Sequence, residues 1–226
     1  MAGAAVSAAG RRSEGRRVSS SREAVAARLA AFDPVRTDGP GLKRAAVAIT
    51  LVTADDPDAG ADPVLDGLAF LLTRRAPTLR RHAGQWALPG GRLDADETEA
   101  VAARRELAEE VGLYVDDDAV LGVLDDYPTR SGYLITPVVV WGGAAPDLTP
   151  NPAEVGSIHR VPLRMIDVEP RFLTIPESDA PVIQLPLLGR FVHAPTAAVL
   201  HQFREVALQG RSTRVAHLEQ PVFAWR

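Results

Sequence analysis

Apolar residues in this chain occur in short continuous runs that are separated by segments rich in Pro, Gly and Asp. Runs of this length are typical of buried strands. They predict strands over residues 45–53, 67–73, 86–88, 119–124, 133–141 and 154–161. Pro137 lacks a backbone N–H donor, so the strand that contains it is expected at a sheet edge or at a bulge. The acidic segment 54–66, which contains Pro and Gly, is expected to be a loop.

Other segments place their apolar residues on one face of a helix. The spacing predicts helices over residues 20–33, 98–111 and 195–208. Val25, Leu29 and Phe32 share one face of the first helix. Gly112 follows the second helix at the position where a left-handed residue commonly ends a helix. Because strands and helices do not alternate strictly, the pattern favours an α+β fold, or an α/β/α sandwich, over a doubly wound sheet.

The first 19 residues are mainly Ala, Gly, Ser and Arg, with few apolar side chains to anchor them. This composition predicts a disordered tail over residues 1–19, followed by a single domain over residues 20–226. An Arg- and Ser-rich start also suits a transit peptide. The segment has no long apolar stretch of the kind that a secretory signal needs, and a tail on a cytoplasmic protein is the simpler interpretation.

Composition narrows the class of protein. The 226 residues are 46% hydrophobic, which is enough for a substantial core. Cysteine is absent, which excludes disulfides, thiolate metal sites and a cysteine nucleophile. The net charge of −4 argues against a protein that coats nucleic acid. No apolar run is long enough to span a membrane, so we expect neither nucleic acid nor a membrane as a partner.

The second predicted helix carries a cluster of carboxylates. Glu106, Glu109 and Glu110 are three or four residues apart, so a helix places them on one side. Like charges at this spacing repel each other, and a bound cation would offset the repulsion. Carboxylate oxygens are hard ligands that favour Mg²⁺ or Mn²⁺. The charge pattern alone fits a solvated helix better than a metal-binding one. The residues around the cluster must therefore distinguish the two interpretations.

Those residues reproduce the Nudix box: Gly, five residues, Glu, seven residues, Arg-Glu, an aliphatic residue, any residue, Glu-Glu, any residue, Gly and an aliphatic residue. Every fixed position matches, at Gly91, Glu97, Arg105, Glu106, Leu107, Glu109, Glu110, Gly112 and Leu113. The chain therefore resembles the Nudix hydrolases. A match at so many constrained positions is far more specific than a short glycine motif.

The resemblance implies an α/β/α sandwich, with helices flanking a mixed central sheet, and hydrolysis of a nucleoside diphosphate joined to another group. It implies a site for Mg²⁺ or Mn²⁺ made by Glu106, Glu109, Glu110 and the carbonyl of Gly91. Glu106 or a carboxylate further along the chain is implied as the general base. Glu97 and Arg105 are implied to orient the cluster. A further carboxylate that completes the metal site could be Asp125, Asp126 or Glu154.

A basic segment lies just before this acidic helix. Residues 71–92 contain five arginines and no acidic residue, whereas residues 94–110 contain seven acidic residues and two arginines. Arginines can hold the phosphates that do not react while a metal bridges those that do. The segment predicts phosphate-binding side chains at Arg75, Arg80, Arg81 and His82. Trp86 is expected to pack in the core rather than stack on a base.

The same segment is similar to the signature of one Nudix subgroup, the coenzyme A pyrophosphatases. The matching residues are Leu71, Leu72, Thr73, Arg75, Ala76, Arg80, Gly84, Pro89, Gly90 and Gly91. Leu88 stands where the subgroup has Phe. The similarity covers roughly residues 43–208 and weakens after residue 165.

The resemblance implies a hydrolase that uses Mg²⁺ or Mn²⁺ and cleaves coenzyme A or acyl-coenzyme A into 3′,5′-ADP and (acyl-)4′-phosphopantetheine. One alternative is a pyrophosphatase of the same family that acts on ADP-ribose, NADH or another nucleotide sugar or dinucleotide. A second is a binding module on the same fold without activity. Nudix proteins often form homodimers, so a homodimer is also expected. No serine-hydrolase, zinc-peptidase or dinucleotide-binding motif is present.

Overall fold

The computed structural model of the protein describes residues 20–55, 62–79, 82–144 and 146–224. The predicted tail over residues 1–19 lies outside these ranges, as do two of the predicted phosphate-binding residues, Arg80 and Arg81. The expectations of one domain and of a cytoplasmic location stay predictions. In the described part of the chain, no helix is both long enough and apolar enough to cross a lipid bilayer.

The described helices and strands agree with the sequence predictions within a few residues, apart from the elements discussed below. The helices are α1 (residues 20–30), α2 (Pro63–Gly67), α3 (Glu99–Val111) and α4 (Thr196–Phe203), which continues as a π-helix over Arg204–Leu208. The first strands are β1 (Lys43–Thr53), β2 (Leu68–Arg75), β3 (Trp86–Ala87), β4 (Gly90–Arg92), β5 (Val120–Val123) and β6 (Tyr127–Pro128). The later strands are β7 (Tyr133–Gly143), β8 (Val155–Pro162), β9 (Arg171–Ile175), β10 (Ser178–Leu187) and β11 (Arg190–His193).

Strand β1 lies inside the larger sheet and gives it its mixed character. The strand order is β3-β2-β1-β7-β5, with β4 also paired to β1, β6 to β7 and β8 to β2. β1 pairs in parallel with β7 and antiparallel with β2 and β4. A parallel pair needs a long crossover, and the chain between β1 and β7 includes α3.

Side chains of β1 alternate between two cores, one on each face of this sheet. Ala46 and Ala48 pack with Leu107 of α3 in one core. Ile49 and Leu51 belong to the other core, which includes apolar residues of α1 and α4. The alternation follows from the two-residue period of a strand. Helices therefore flank a mixed sheet on both faces, which confirms the predicted α+β, α/β/α architecture.

Of the two places expected for Pro137, a sheet edge is wrong, whereas a bulge does occur nearby, in the neighbouring strand β5 between Val120 and Gly122. β7 is flanked by β1 on one side and by β5 and β6 on the other. Pro137 faces the interruption between β5 and β6, where its carbonyl accepts a hydrogen bond from the Leu124 N–H at 3.0 Å. The ring nitrogen points to the same side, where the ladder is broken and no donor is needed.

The sequence analysis missed the second sheet, in which β10 pairs antiparallel with β9 and β11. The side chains of β9 are exposed or half-buried, so this strand lacks the apolar run that marks a buried strand. The predicted loop over residues 54–66 is also wrong at its end. Asp62 accepts hydrogen bonds from the N–H groups of Val64 and Leu65, at 2.8 and 3.1 Å, and thereby begins α2.

Candidate functional site

Helix α3 holds the acidic cluster against the larger sheet. The Thr98 hydroxyl accepts a hydrogen bond from the Val101 N–H at 3.3 Å and caps the start of the helix. Gly112 ends it with a left-handed φ of 71°, as the sequence predicts. Leu107 and Val111 are buried in the core beneath. The helix is thereby fixed at both ends and on its apolar face, which determines where its glutamates lie.

Arg105 connects the acidic residues of the motif. Its Nε and Nη2 donate to the two carboxylate oxygens of Glu97, at 2.9 and 3.1 Å. Its Nη1 donates to Glu106 at 2.9 Å and to Glu109 at 3.0 Å. Its Nη2 also donates to the Arg92 carbonyl at 2.9 Å, which ties the helix to the end of β4. The hydrogen bond from Arg105 lowers the pKa of Glu97.

Glu110 is the most buried acid of the cluster, with 4% of its surface exposed. Its carboxylate accepts a hydrogen bond from the Gly90 N–H at 3.3 Å. Burial is the main reason that the pKa of Glu110 rises to about 8, and the charges of Glu106 and Glu154 act in the same direction. A buried carboxylate with such limited hydrogen bonding is costly when ionised. A cation beside it would reduce that cost.

Glu106 is also largely buried, and burial is the largest cause that raises its pKa. The hydrogen bond from Arg105 opposes this rise, whereas the charges of Glu109 and Glu154 add to it. Glu106 and Glu110 thus form a pair of partly desolvated carboxylates on adjacent turns of α3. Such a pair is poised to gain from a divalent ion.

The glycines before α3 allow the helix and the sheet to approach closely. A Cβ atom on Gly91 would lie 2.1 Å from Oε1 of Glu106. A Cβ atom on Gly90 would lie 2.3 Å from the Ala46 carbonyl oxygen in β1. Both glycines therefore serve close contacts, but Gly91 makes room for a carboxylate and Gly90 for a neighbouring strand.

The donor chemistry of the cluster, carboxylate oxygens beside the backbone of Gly91, fits a hard divalent cation such as Mg²⁺ or Mn²⁺. Within residues 20–55, 62–79, 82–144 and 146–224, no three Asp, Glu or His side chains already surround one point at ligand distance. Arg105 shares its Nη1 between Glu106 and Glu109, and this hydrogen bonding compensates their charge. The Glu109 side chain is 54% exposed and is therefore free to turn towards an ion.

A cleft of about 560 Å³ opens beside this cluster. Its floor includes residues 45–47 of β1 and Gly90–Arg92 of β4. One side, which we call the β2–β3 wall, comprises residues 74–75, 82 and 84–87. Another part of the lining, which we call the C-terminal wall, comprises residues 190–196 with Gln220 and Phe223. The cleft thus connects the acidic cluster, through Gly90 and Gly91, with two walls that carry arginines and aromatic rings.

Two predicted substrate-binding residues lie on the β2–β3 wall. Arg75 faces the cleft, and its charge lowers the pKa of Glu110. Its Nε is buried and has no hydrogen-bond partner among the described residues. His82 also lines the cleft, and its Nδ1 is 3.1 Å from the Gln85 side-chain oxygen. Trp86 is half-buried on the same wall, where it packs edge-on against His159 at 4.8 Å.

The three carboxylates that the sequence offered as a further metal ligand differ in their hydrogen bonds and in their distance from the acidic cluster. Asp125 accepts hydrogen bonds from Val35 N, Gln202 and Arg214. Asp126 accepts them from Thr37 N and the Thr136 hydroxyl. Both therefore hold distant segments together. Glu154, which is exposed at the start of β8, acts electrostatically on Glu106 and Glu110 and is the one of the three beside the cluster.

Sequence reasoning did not assign Arg92, Tyr133 or the C-terminal wall to the site. Arg92 donates to the Tyr133 hydroxyl from Nε at 3.2 Å and from Nη2 at 2.6 Å, and both residues line the cleft. The position of Arg92 directly after Gly91, a residue of the motif, could have indicated that Arg92 lies at the site. Tyr133 and the C-terminal wall come from distant parts of the chain, and their placement depends on the fold.

Comparison with known proteins places these observations in a family. A family model described as NUDIX domain matches residues 43–185. The Nudix hydrolase NudL of Photorhabdus laumondii, described as uncharacterized, is 47% identical over 95 residues, which are 42% of this chain and 51% of that protein. Its counterpart in Yersinia pestis, described in the same words, is 38% identical over 125 residues, or 54% of this chain and 56% of that protein. The match thus spans about half the length of these curated relatives.

Among solved structures, the chain is similar to a MutT protein from Methanosarcina mazei. The two are 22% identical, the alignment covers 61% of this chain and 86% of the other, and the TM-score is 0.40.

Proposed function

Because this chain belongs to the Nudix family, we propose that it is a pyrophosphohydrolase that depends on Mg²⁺ or Mn²⁺ and cleaves a nucleoside diphosphate derivative. The observation that carries the proposal is the burial of Glu106 and Glu110 against Gly90 and Gly91, at the edge of a cleft. The acidic groups beside Gly90 and Gly91 suit a divalent ion, and the arginines of the β2–β3 wall in the same cleft suit phosphates. A pyrophosphate is the substrate class that needs both.

In this reaction, the oxygen of a water molecule forms a bond to one phosphorus as the bridging P–O bond breaks. Each product carries one of the two former anhydride phosphates as a phosphate monoester, and a proton of the water passes to a carboxylate and then to solvent. A divalent ion, when bound, neutralises charge on the phosphates and activates the water. The candidate ligands are the side chains of Glu106, Glu109 and Glu110 and the carbonyl of Gly91.

The residues of this chain supply orientation and proton transfer. Glu97 and Arg105 hold the cluster in place through the hydrogen bonds described above. Glu106 is the proposed general base, because its raised pKa lets it accept a proton more readily near neutral pH. Glu154 is the downstream alternative, because its charge acts on Glu106 and Glu110. Arg75, whose buried Nε has no hydrogen-bond partner among the described residues, is the proposed ligand for the phosphate of the pyrophosphate that is not attacked. His82, Arg80 and Arg81 are assigned to the same task.

Coenzyme A or an acyl-coenzyme A is the proposed substrate, cleaved into 3′,5′-ADP and (acyl-)4′-phosphopantetheine. The similarity of residues 71–92 to the signature of that subgroup supports this choice. All three candidate metal-binding glutamates are present. A binding module without activity would not need them, so their presence argues against that alternative.

A substrate panel tests the proposal. Purified protein is incubated in MgCl₂ or MnCl₂ with coenzyme A, acetyl-coenzyme A, 3′-dephospho-coenzyme A, ADP-ribose and NADH, and the products are separated by chromatography. We expect 3′,5′-ADP and 4′-phosphopantetheine from coenzyme A, and no turnover with EDTA. Faster cleavage of ADP-ribose or NADH would refute the coenzyme A assignment. Absence of turnover with every pyrophosphate would refute the proposal that this protein is a pyrophosphohydrolase.

Two further measurements complete the test. Reaction in water labelled with ¹⁸O identifies the attacked phosphorus, because the label appears in only one of the two products. Light scattering of the purified protein checks the expected homodimer.

A further inference from the structure

The C-terminal wall carries partly exposed aromatic rings and Arg190, an arginine that forms no ion pair or side-chain hydrogen bond within the described residues. We propose that this wall binds the nucleoside end of the substrate, with Phe223 packing against the base and Arg190 pairing with a phosphate on the ribose. The inference rests on the proposed function, since it concerns the specificity of the same cleft. It makes the segment after residue 185, where the family match ends, the specificity element of this chain.

Exposed ring surface is the first observation. Phe223 is 56% exposed and Phe191 is 39% exposed, and both line the cleft. An apolar ring in contact with water gains free energy when a ligand covers it. On the β2–β3 wall, by contrast, Trp86 already packs against His159, and the Arg74 guanidinium lies 5.8 Å from its ring centroid. Open aromatic surface is therefore greater on the C-terminal wall.

The neighbours of Phe223 hold it in a defined position. His193 packs edge-on against the Phe223 ring, with centroids 5.0 Å apart and ring planes at 86°. Nε2 of His193 lies 2.9 Å from Nε2 of Gln184; because the Gln amide can only donate there, the imidazole nitrogen accepts. Burial lowers the pKa of His193, which also favours the neutral ring. A neutral imidazole beside a phenyl ring makes a surface suited to an uncharged base.

Arg190 supplies the charge at this end of the cleft. Its side chain is exposed and forms no ion pair or side-chain hydrogen bond within the described part of the chain. Nearby, the Arg171 guanidinium stacks over the Phe191 ring at 4.8 Å and is therefore committed to an internal contact. An unpaired guanidinium beside open aromatic surface matches a nucleoside that carries a phosphate. The neutral, flexible arm of a pantetheine would leave Arg190 unpaired.

Direct binding measurements test the wall independently of turnover. The probes are 5′-AMP and 3′,5′-ADP, whose affinities for the full chain are measured by calorimetry. Phe223→Ala is expected to weaken the binding of both by about 5- to 150-fold, the range for loss of one base-stacking ring. Arg190→Gln is expected to weaken 3′,5′-ADP by about tenfold and to leave 5′-AMP nearly unchanged. Arg190→Lys should recover part of the loss.

Phe172→Ala is the matched control, because Phe172 is a similarly exposed phenylalanine (50%) that does not line the cleft. It should leave both affinities unchanged, and the thermal midpoints of all variants should stay near that of the wild type. In turnover assays, Phe223→Ala should raise KM with little change in kcat.

Three results decide the matter. Unchanged nucleotide affinities in Phe223→Ala would refute the proposal that the C-terminal wall binds the nucleoside, even if the protein hydrolyses coenzyme A. Equal losses for 5′-AMP and 3′,5′-ADP in Arg190→Gln would overturn its assignment to the ribose phosphate. If the affinities change as expected but the protein cleaves no pyrophosphate, the C-terminal wall binds nucleotides and the proposed function is refuted.

Discussion

Two adjacent glycines, when replaced by alanine, should affect different properties: Gly91→Ala should lower activity, and Gly90→Ala should lower stability. The added Cβ of Gly91→Ala would lie 2.1 Å from Oε1 of Glu106, whereas ordinary contacts of a Cβ are at 3.4 to 4 Å. Oε1 must therefore move by more than 1 Å, out of the position in which it accepts from Arg105. A displacement of this size in a catalytic group costs about a hundredfold in rate. The stability cost should be small, because the side chain of Glu106 can rotate.

Gly90→Ala is the matched comparison. Its Cβ would lie 2.3 Å from the Ala46 carbonyl oxygen and 2.7 Å from the Val47 Cα, and both atoms belong to the backbone of β1. Backbone cannot rotate away, so β1 and β4 must separate, at a cost of about 1–3 kcal/mol for overpacking.

Urea denaturation measures stability, and turnover of coenzyme A in MgCl₂ measures activity. Wild-type turnover by Gly91→Ala, or a larger loss of stability in Gly91→Ala than in Gly90→Ala, would show that the contact between Gly91 and Glu106 is not what positions the cluster.

The remaining predictions concern charge. Arg105→Lys cannot reproduce the paired hydrogen bonds to Glu97, so kcat should fall about tenfold or more; an unchanged kcat would contradict its positioning role. Arg75→Gln should raise KM for coenzyme A while the protein stays folded, and an unchanged KM would remove Arg75 from the phosphate site. Burial raises the pKa of Glu110 from 4.5 to about 8, so between those pH values the native state retains a proton that the unfolded state has lost. Stability of the metal-free protein should therefore fall as pH rises from about 5 to 8, by at most about 1.4 kcal/mol per pH unit from this group. Glu110→Gln should remove that contribution, whereas Glu109→Gln, at a more exposed position, should not; identical slopes in denaturation series for wild type and Glu110→Gln would refute the assignment.

The local elements and the chemistry of the acidic helix can be predicted from short stretches of the chain. Buried strands such as β1 and β2 are continuous apolar runs, and the residues that begin and end α3 act within one turn of it. The spacing of Glu106, Glu109 and Glu110 also places them on one side of a helix whatever it packs against. Short-range patterns of this kind persist in the fold because they depend on backbone geometry.

Which distant residues meet depends on the folded arrangement of the strands and helices. Asp125, Asp126 and Glu154 look alike as candidates, but the first two are occupied by hydrogen bonds to distant segments and only Glu154 lies beside the cluster. Pro137 misleads in the same way, because an interior strand can accept a proline where its neighbour is interrupted. The C-terminal wall lines the same cleft as Gly90 and Gly91, and its place there depends on a second sheet whose strand β9 has weak apolar patterning. Long-range packing sets these positions, and it leaves no local periodicity for a sequence to reveal.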